Sequence, residues 1–347
     1  MSSRSLNAPS FDPRPGNRLP HMEVWYLKLN SLAEKSEGGQ TSPRSLWLRF
    51  SLLVSGNGFK RVAETWAIFN RRNAKKETFK VAIKQTHDIG QFAWEEDRRL
   101  RIDTCSLDEQ GTRGSVHSKG HTIEWDLAIQ PARTLAFDLV PESLRRLGLV
   151  RNQARTVGED LRFTGTSKID GEEVRWENAP GMQAHFSGPK TPHSWVWSQS
   201  NIFVDEKGQA ADFVFEGLTA RARIAGPVPS PKMSSLFFLY KGQSYEFNTF
   251  WECVKIRSKH SLTEWTFQAD RGELSFRGRA SAEHRDFTGV TYEDTNGSLL
   301  YCANSKLSNL EIHVYRRGKL EAGFLSPGAA AFEVVSRQKN PYVPLIL

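Results

Sequence analysis

The sequence predicts an all-β fold of the sandwich or barrel type. Short segments with alternating apolar and polar positions recur from Met22 to the C-terminus, tight-turn signals separate them, and only one stretch carries helical spacing. In chain order the segments include Glu23–Asn30, Leu46–Val54, Phe79–Lys84, His121–Ile129, Trp195–Phe203, Leu262–Gln268 and Leu310–Tyr315. Between strands lie Asp170-Gly171, Asp205 to Gly208, Lys241-Gly242, Asp270 to Gly272, Asn296-Gly297 and Arg316 to Gly318. Glycine or a polar neighbour at such points reaches the positive φ that hairpin turns require. The helical exception is Pro141 to Gly148. It has Pro and Glu in its first turn, Leu144 and Leu147 three apart, late arginines and a terminal glycine. One or two short helices on a β framework are therefore expected.

A chain of 347 residues exceeds the roughly 250–300 at which one core stops growing, so two cores are expected. The Pro/Gly stretch from Ala179 to Pro192 is the natural junction. It divides the chain into a disordered tail (1–22), a first β unit (23–180) and a second (181–347). The Pro-rich stretch Ala225 to Lys232 reads as a long loop.

Composition narrows the function classes. With no run of about 18 apolar residues, no membrane-spanning helix is expected. The polar, Arg-dotted start lacks the apolar segment of a signal peptide. Three scattered cysteines suit a reducing, cytoplasmic interior rather than a disulfide framework. Lys and Arg number 47 against 39 Asp and Glu, but the signs are interspersed, and nucleic-acid binding is not expected. The densest basic run, Arg71 to Lys76, reads as a solvated hairpin end. Its sharper reading is a peripheral contact with an anionic membrane surface. Phosphate loops, dinucleotide fingerprints, zinc-protease and nucleophile-elbow motifs are absent, so neither a cofactor nor a metal is expected.

The strongest chemical signal is Trp195 to Phe203. One face of that strand carries Trp195, Trp197, Gln199, Asn201 and Phe203. Two tryptophans do not suit a solvated face, and buried amides cost about 1–3 kcal/mol each unless they find partners. Aromatics with a few placed polar groups describe the wall of an enclosed ligand site. On His121–Ile129, His121, Ile123, Trp125, Leu127 and Ile129 share a face, and His121 could handle a proton. On Glu23–Leu29, Glu23 shares a face with Trp25. If buried there, its pKa would rise and it could act as an acid; alternatively it precedes the strand and points to water.

These residues together resemble the family of tocopherol cyclase and the bacterial carotenoid 1,2-hydratases (hydroxyneurosporene synthases). Glu23-Val-Trp25-Tyr26 resembles its early E-x-W-Y signature, and Gly120 to Leu127 its G-x-x-x-x-W-D-L segment. The run from Lys190 to Phe203 is similar to K-x-x-P-x-x-W-x-W-x-Q-x-N-x-F, and Tyr301 to Tyr315 resembles a late strand. The matches lie in order. His185-Phe-Ser-Gly departs from the family's richer Asn, Trp and Gly. The resemblance implies two consecutive lipocalin-like antiparallel β-barrel or half-open barrel units holding an apolar ligand in or between them. It also implies cofactor-free protonation of a prenyl or carotenoid alkene, followed by capture by a phenol or water. It assigns no acid to a numbered residue.

The expected function is thus a cyclase or hydratase of a hydrophobic isoprenoid or polyene. Glu23, His121 or His185 would supply the proton, Trp25, Trp125, Trp195 and Trp197 would line the cavity, and Gln199 and Asn201 would orient the substrate. The rival is a lipocalin-like carrier that binds a hydrophobic small molecule without changing it.

Overall fold

The computed structural model describes residues 7–10, 20–31, 43–73, 75, 77–148, 150–225 and 228–347. The first sheet contains β1 (His21–Ser31), β2 (Arg44–Val54), β3 (Arg61–Arg72), β4 (Thr78–Asp88), β5 (Phe92–Trp94), β6 (Leu100–Ile102), β7 (Cys105–Leu107), β8 (Gly111–Ser118), β9 (His121–Arg133), β10 (Phe137–Asp138), β11 (Gln153–Ile169) and β12 (Glu172–Gly188). Its order is β4-β3-β2-β1-β12-β11-β9-β8-β7-β6-β5, with β10 beside β11. The second contains β13 (Ser194–Ser200), β14 (Phe203–Asp205), β15 (Ala210–Ala211) and β16 (Phe213–Arg221), then β17 (Arg223–Ala225) and β18 (Val228–Pro229) as a separate ribbon. It continues with β19 (Met233–Tyr240), β20 (Gln243–Phe247), β21 (Arg257–His260), β22 (Glu264–Arg271), β23 (Leu274–Ser281), β24 (Thr288–Glu293), β25 (Leu299–Arg316) and β26 (Lys319–Ser336). Its path is β20-β19-β16-β13-β26-β25-β23-β22-β21.

Both sheets curl in the same way, with β4 and β5 as edge strands of the first and β20 and β21 of the second. Neighbours in sequence pair as antiparallel meanders, and the first strand then pairs with the last, β1 with β12 and β13 with β26. Such a closure curls a sheet around its own core and gives the lipocalin-like barrel shape. The first barrel is half open. β4 is tied to β8 by the His117 amide donating to Gln85 Oε1 at 3.2 Å, without a ladder between these strands among the described residues.

Alternation sends Trp25, Leu27, Leu29, Leu48, Phe50 and Trp125 into the first core and Phe215, Phe238, Trp265, Phe267 and Phe332 into the second. The outer faces of the central strands are buried as well, because the barrels pack wall to wall. Trp47, Trp66 and Ile68 of the first meet Val290, Tyr292, Leu300 and Val335 of the second, and Met182 and Ala184 meet Trp197 and Phe237. Strands covered on both sides lose the clean apolar–polar alternation, and every residue of β2 from Ser45 to Val54 is buried.

Several expectations need correction. The stretch read as the junction, Ala179 to Pro192, begins inside the 17-residue β12, which runs to Gly188, and the chain crosses between sheets at residues 189–193, at the end of that stretch. Gly181 is there for close approach: a Cβ at this position would lie 2.1 Å from the Lys28 carbonyl oxygen. Of the tail read as disordered, Asn7 to Ser10 dock on the first barrel. The Trp25 indole donates to the Asn7 carbonyl at 2.9 Å and the Ser10 amide to Glu23 Oε1 at 2.7 Å. Residues 1–6 and 11–19 lie outside the described residues. The predicted strand Trp195–Phe203 breaks after Ser200, whose hydroxyl donates to the Ile202 carbonyl at 3.2 Å and accepts from the Ile202 amide at 3.1 Å. The loop read at Ala225 to Lys232 carries the small β17–β18 ribbon at its start.

The predicted helix is α1 (Glu142–Arg146). A second, α2 (Phe250–Lys255), begins with a capping box in which the Thr249 side chain and Glu252 exchange hydrogen bonds with each other's backbone amides. Neither helix is long and apolar enough to cross a membrane.

Candidate functional site

A cavity of about 720 Å³ lies between the two barrels. Each wall is the outward face of strands whose other face fills a core. From the first barrel come Tyr26 of β1 and Trp47 and Arg49 of β2; from the second come Trp195 and Trp197 of β13, Tyr292 of β24 and Glu333 of β26. The rings are held in fixed mutual geometry. Trp195 stacks on Tyr292 with centroids 6.2 Å apart and planes 2° from parallel, and Tyr26 meets Trp197 edge-on at 5.8 Å. Arg49 lies 4.6 Å from the Tyr292 ring centre and 4.8 Å from that of Trp66, which packs behind the wall.

Glu333 is the one carboxylate on this wall among the described residues. Its Oε1 accepts from Lys306 Nζ and from Asn304 Nδ2, each at 2.8 Å. Lys306 is fully buried, and its ammonium lies 5.5 Å from the Trp47 ring centre and 5.3 Å from that of Trp197. A buried lysine thus forms a floor between the two indoles, paired with the wall carboxylate.

Behind Trp197 lies a second polar group of buried side chains. The Trp197 indole donates to Glu216 Oε1 at 2.8 Å, and the Thr156 hydroxyl donates to Glu216 Oε2 at 2.6 Å. Burial, and then the charge of Glu216, push the Glu159 carboxyl well above the usual carboxylate range. Glu216 is raised by burial too, countered by hydrogen bonds from Glu159, Thr156 and Trp197. Two adjacent carboxyls in a dry interface cannot both ionise cheaply. Burial, and next the Lys306 charge, pull the Lys28 amine down to about 7, against Glu159 and Glu216. Burial likewise raises the Tyr26 hydroxyl, with Glu216, Glu333 and Glu159 adding to it.

The residues singled out from the sequence fall in five places. Trp195 and Trp197 line the cavity. Gln199 and Asn201 share their strand face but tie the barrels together instead of meeting the cavity. Gln199 Nε2 donates to the Glu159 carbonyl at 3.2 Å, and Asn201 Nδ2 donates to Asp160 Oδ1 at 3.0 Å and to the Gly181 carbonyl at 2.9 Å. Trp25 and Trp125 are core residues of the first barrel, the indole of Trp125 donating to Thr112 Oγ1 at 3.0 Å. His121 is exposed at a hairpin end and bonded to Asp170 Oδ2 at 2.7 Å, so it handles no proton in an enclosed site.

Glu23 and His185 do come together, at 2.8 Å, with His185 stacked on Trp25 at 4.8 Å. Their strand neighbours Met22, Val24 and Phe186 line the cavity, so alternation turns Glu23 and His185 away from it. Burial pushes the Glu23 carboxyl up, but hydrogen bonds from His185 and His21, the His185 charge and the Ser10 amide outweigh it. The group is held below its ordinary value of 4.5, opposite to the rise that an acid would need. A carboxyl depressed in the native state stabilises the fold above its unfolded value, and that stability is lost as pH falls through the native value. The Glu23→Gln variant is therefore expected to show a shallower loss of stability below pH 4.5 than the parent, read from urea midpoints across that range.

In the basic run read as a solvated hairpin end, two arginines are paired. Arg71 pairs with Glu172, and Arg72 with Asp286 at 2.9 Å. Lys76 lies outside the described residues.

Tyr26, Trp47, Arg49, Tyr292 and Glu333 escaped the sequence reading. A signal was available for Glu333 and Glu216: each is a lone carboxylate inside an apolar run, Ala331-Phe-Glu333-Val-Val335 and Phe213-Val-Phe-Glu216-Gly-Leu218.

No family model matches the chain, and no curated protein does. Among solved structures the chain is similar to a candidate AttH from Nitrosomonas europaea, at 10% identity and TM-score 0.47, over 91% of this chain and 92% of that one. It is also similar to kievitone hydratase from Nectria haematococca, at 9% identity and TM-score 0.48, over 91% of this chain and 89% of that one. At these identities the likeness concerns the course of the chain and says nothing of a reaction.

Proposed function

We propose that the protein binds a hydrophobic small molecule of the isoprenoid or polyene class in the cavity between its barrels and cyclises or hydrates it there. The supporting observation is the cavity itself: about 720 Å³, walled by five indole and phenol rings, with one carboxylate among them. A site of this size suits a drug-sized or larger apolar molecule. The ring faces stabilise positive charge developing on a carbon chain, and water exclusion strengthens that interaction. The motif resemblance to tocopherol cyclases and carotenoid hydratases points the same way.

In this reading Glu333 takes the acid–base role first assigned to Glu23, His121 or His185. The one proton shared by the Lys306–Glu333 pair passes from Glu333 Oε1 to an alkene carbon, and the carbocation is captured by a phenol or water oxygen. The O–H proton released on capture returns to Glu333, so the cycle is balanced without a further reactant. Glu216 is a positioning residue: its bond to the Trp197 indole fixes that ring against the substrate. Purified protein offered a prenylated quinol and a lycopene-like polyene is expected to convert one of them. Turnover undiminished in Glu333→Gln would remove Glu333 from the role.

A carrier function is the second reading, favoured by Lys306, which pairs with the same carboxylate. Native mass spectrometry separates the two readings: an unaltered ligand at one equivalent marks a carrier, and an altered product an enzyme.

A further inference from the structure

We infer that the mouth of the cavity is a docking face for an anionic lipid bilayer, from which the apolar ligand enters; this extends the cavity reading above and rests on it. Two short helices border the same end of the cavity. Leu144 of α1 and Gly148 just beyond it line the cavity, as does Cys253 of α2. The helices are joined to a common frame. The Ser235 hydroxyl donates to the Leu139 carbonyl at 2.7 Å and lies 3.3 Å from Cys253 Sγ, and Asn248 Nδ2 donates to the Asp138 carbonyl at 3.1 Å.

Immediately beside these lining residues, large apolar side chains stand in water. Leu147 is 72% exposed, Trp251 70% and Val254 52%. Trp251 is also the one exposed tryptophan of the chain's 10. A core does not need it there, and a fold that buries its other indoles at least in part exposes this one next to the opening of an apolar cavity. Exposed apolar side chains grouped around an opening mark a binding surface. Tryptophan is the side chain that settles at the boundary between headgroups and acyl chains.

The charge around the mouth selects the partner. Arg145, Arg146 and Arg151 stand against Asp138 and Glu142 on one side, and Lys255, Arg257 and Lys259 against Glu252 and Asp270 on the other. Asp138 lies 4.0 Å from Arg145, Glu142 is paired with Arg146 at 2.8 Å and Glu252 with Arg271. Arg151 itself lines the cavity, and Lys190 lines it from the segment that joins the barrels. An apolar tip inside a cationic collar is the composition of an interfacial anchor for anionic lipid, whose strength comes from apolar insertion plus attraction to headgroups. A ligand that partitions into bilayers would then pass from lipid to cavity without crossing water.

The test uses the full chain and two kinds of vesicle, phosphatidylcholine alone and phosphatidylcholine with one third phosphatidylglycerol. The parent protein is expected to co-sediment with the anionic vesicles at least about tenfold more strongly than with the neutral ones, and to release at high salt. The triple variant Leu147→Ser, Trp251→Ser, Val254→Ser is expected to lose that binding, and Lys255→Glu with Arg257→Glu to lose most of it. Neither variant touches the cavity wall, so ligand conversion in detergent is expected to stay at the parental rate while conversion of vesicle-borne ligand falls. Equal sedimentation of parent and triple variant, or no sedimentation of the parent with anionic vesicles, overturns the docking face. A protein that binds anionic vesicles through these residues yet takes up no ligand in detergent keeps the docking face and overturns the cavity reading instead.

Discussion

Glu333→Gln is expected to lower turnover by about 10²–10⁴-fold while leaving ligand binding in place. The amide keeps the volume of the wall and can still accept from Lys306 and Asn304, but it carries no proton for an alkene. Its structural side effect is predictable too. Lys306 is fully buried and loses its paired charge, and breaking a buried pair on one side costs roughly 3–5 kcal/mol. The double variant Glu333→Gln, Lys306→Met removes both charges together and is expected to recover most of that stability without recovering turnover. Thermal melting and a product assay on the parent, single and double variants separate the two effects. A double variant as active as the parent would move the chemistry away from this wall.

Asp294→Ala is expected to lower stability by about 3–5 kcal/mol, seen as a lower urea midpoint at pH 7. Asp294 is fully buried where the chain passes between the barrels. It accepts from the Thr191 amide at 3.0 Å, the Thr191 hydroxyl at 2.8 Å, the Thr295 amide at 2.8 Å and Arg337 Nη2 at 2.9 Å. The alanine leaves a guanidinium and several buried donors without their acceptor, and each such donor carries its own desolvation cost. Thr191 and Thr295 also line the cavity, so the same change is expected to weaken ligand retention. A midpoint shift close to zero would mean that the junction is held by packing alone.

The barrels were legible in the sequence because hairpin chemistry is local. Asp170-Gly171, Lys241-Gly242 and Arg317-Gly318 all adopt the positive φ that their residue types suggest. The helix α1 was legible for the same reason. α2 was missed although Thr249-Phe-Trp-Glu252 spells a capping box, because six residues are too few for apolar spacing to show. The Trp195–Gln199 face was correctly read as mixed, yet its polar half serves the interface between barrels and its aromatic half the cavity. Period alone cannot divide one face between two tasks. The error over Glu23 has another origin. A carboxylate beside Trp25 on an apolar face, if buried, was expected to be raised by desolvation, but His21, two residues earlier on the same strand, and His185, brought in by β12, reverse the sign. The remaining wall residues, Tyr26, Trp47 and Arg49, sit on faces that look outward within their own barrel and become interior only when the second barrel is placed against them.

Native mass spectrometry of the full chain, with a bulky residue placed in the cavity, distinguishes a ligand held between the barrels from one held inside either of them. Ala220→Trp fills space on the cavity wall. The parent protein, gently purified or offered the polyene and quinol ligands, is expected to carry one equivalent of a hydrophobic molecule, and the Ala220→Trp variant, melting as a folded protein, none. Ligand retained at one equivalent by the folded, blocked variant would mean that the ligand does not lie between the barrels.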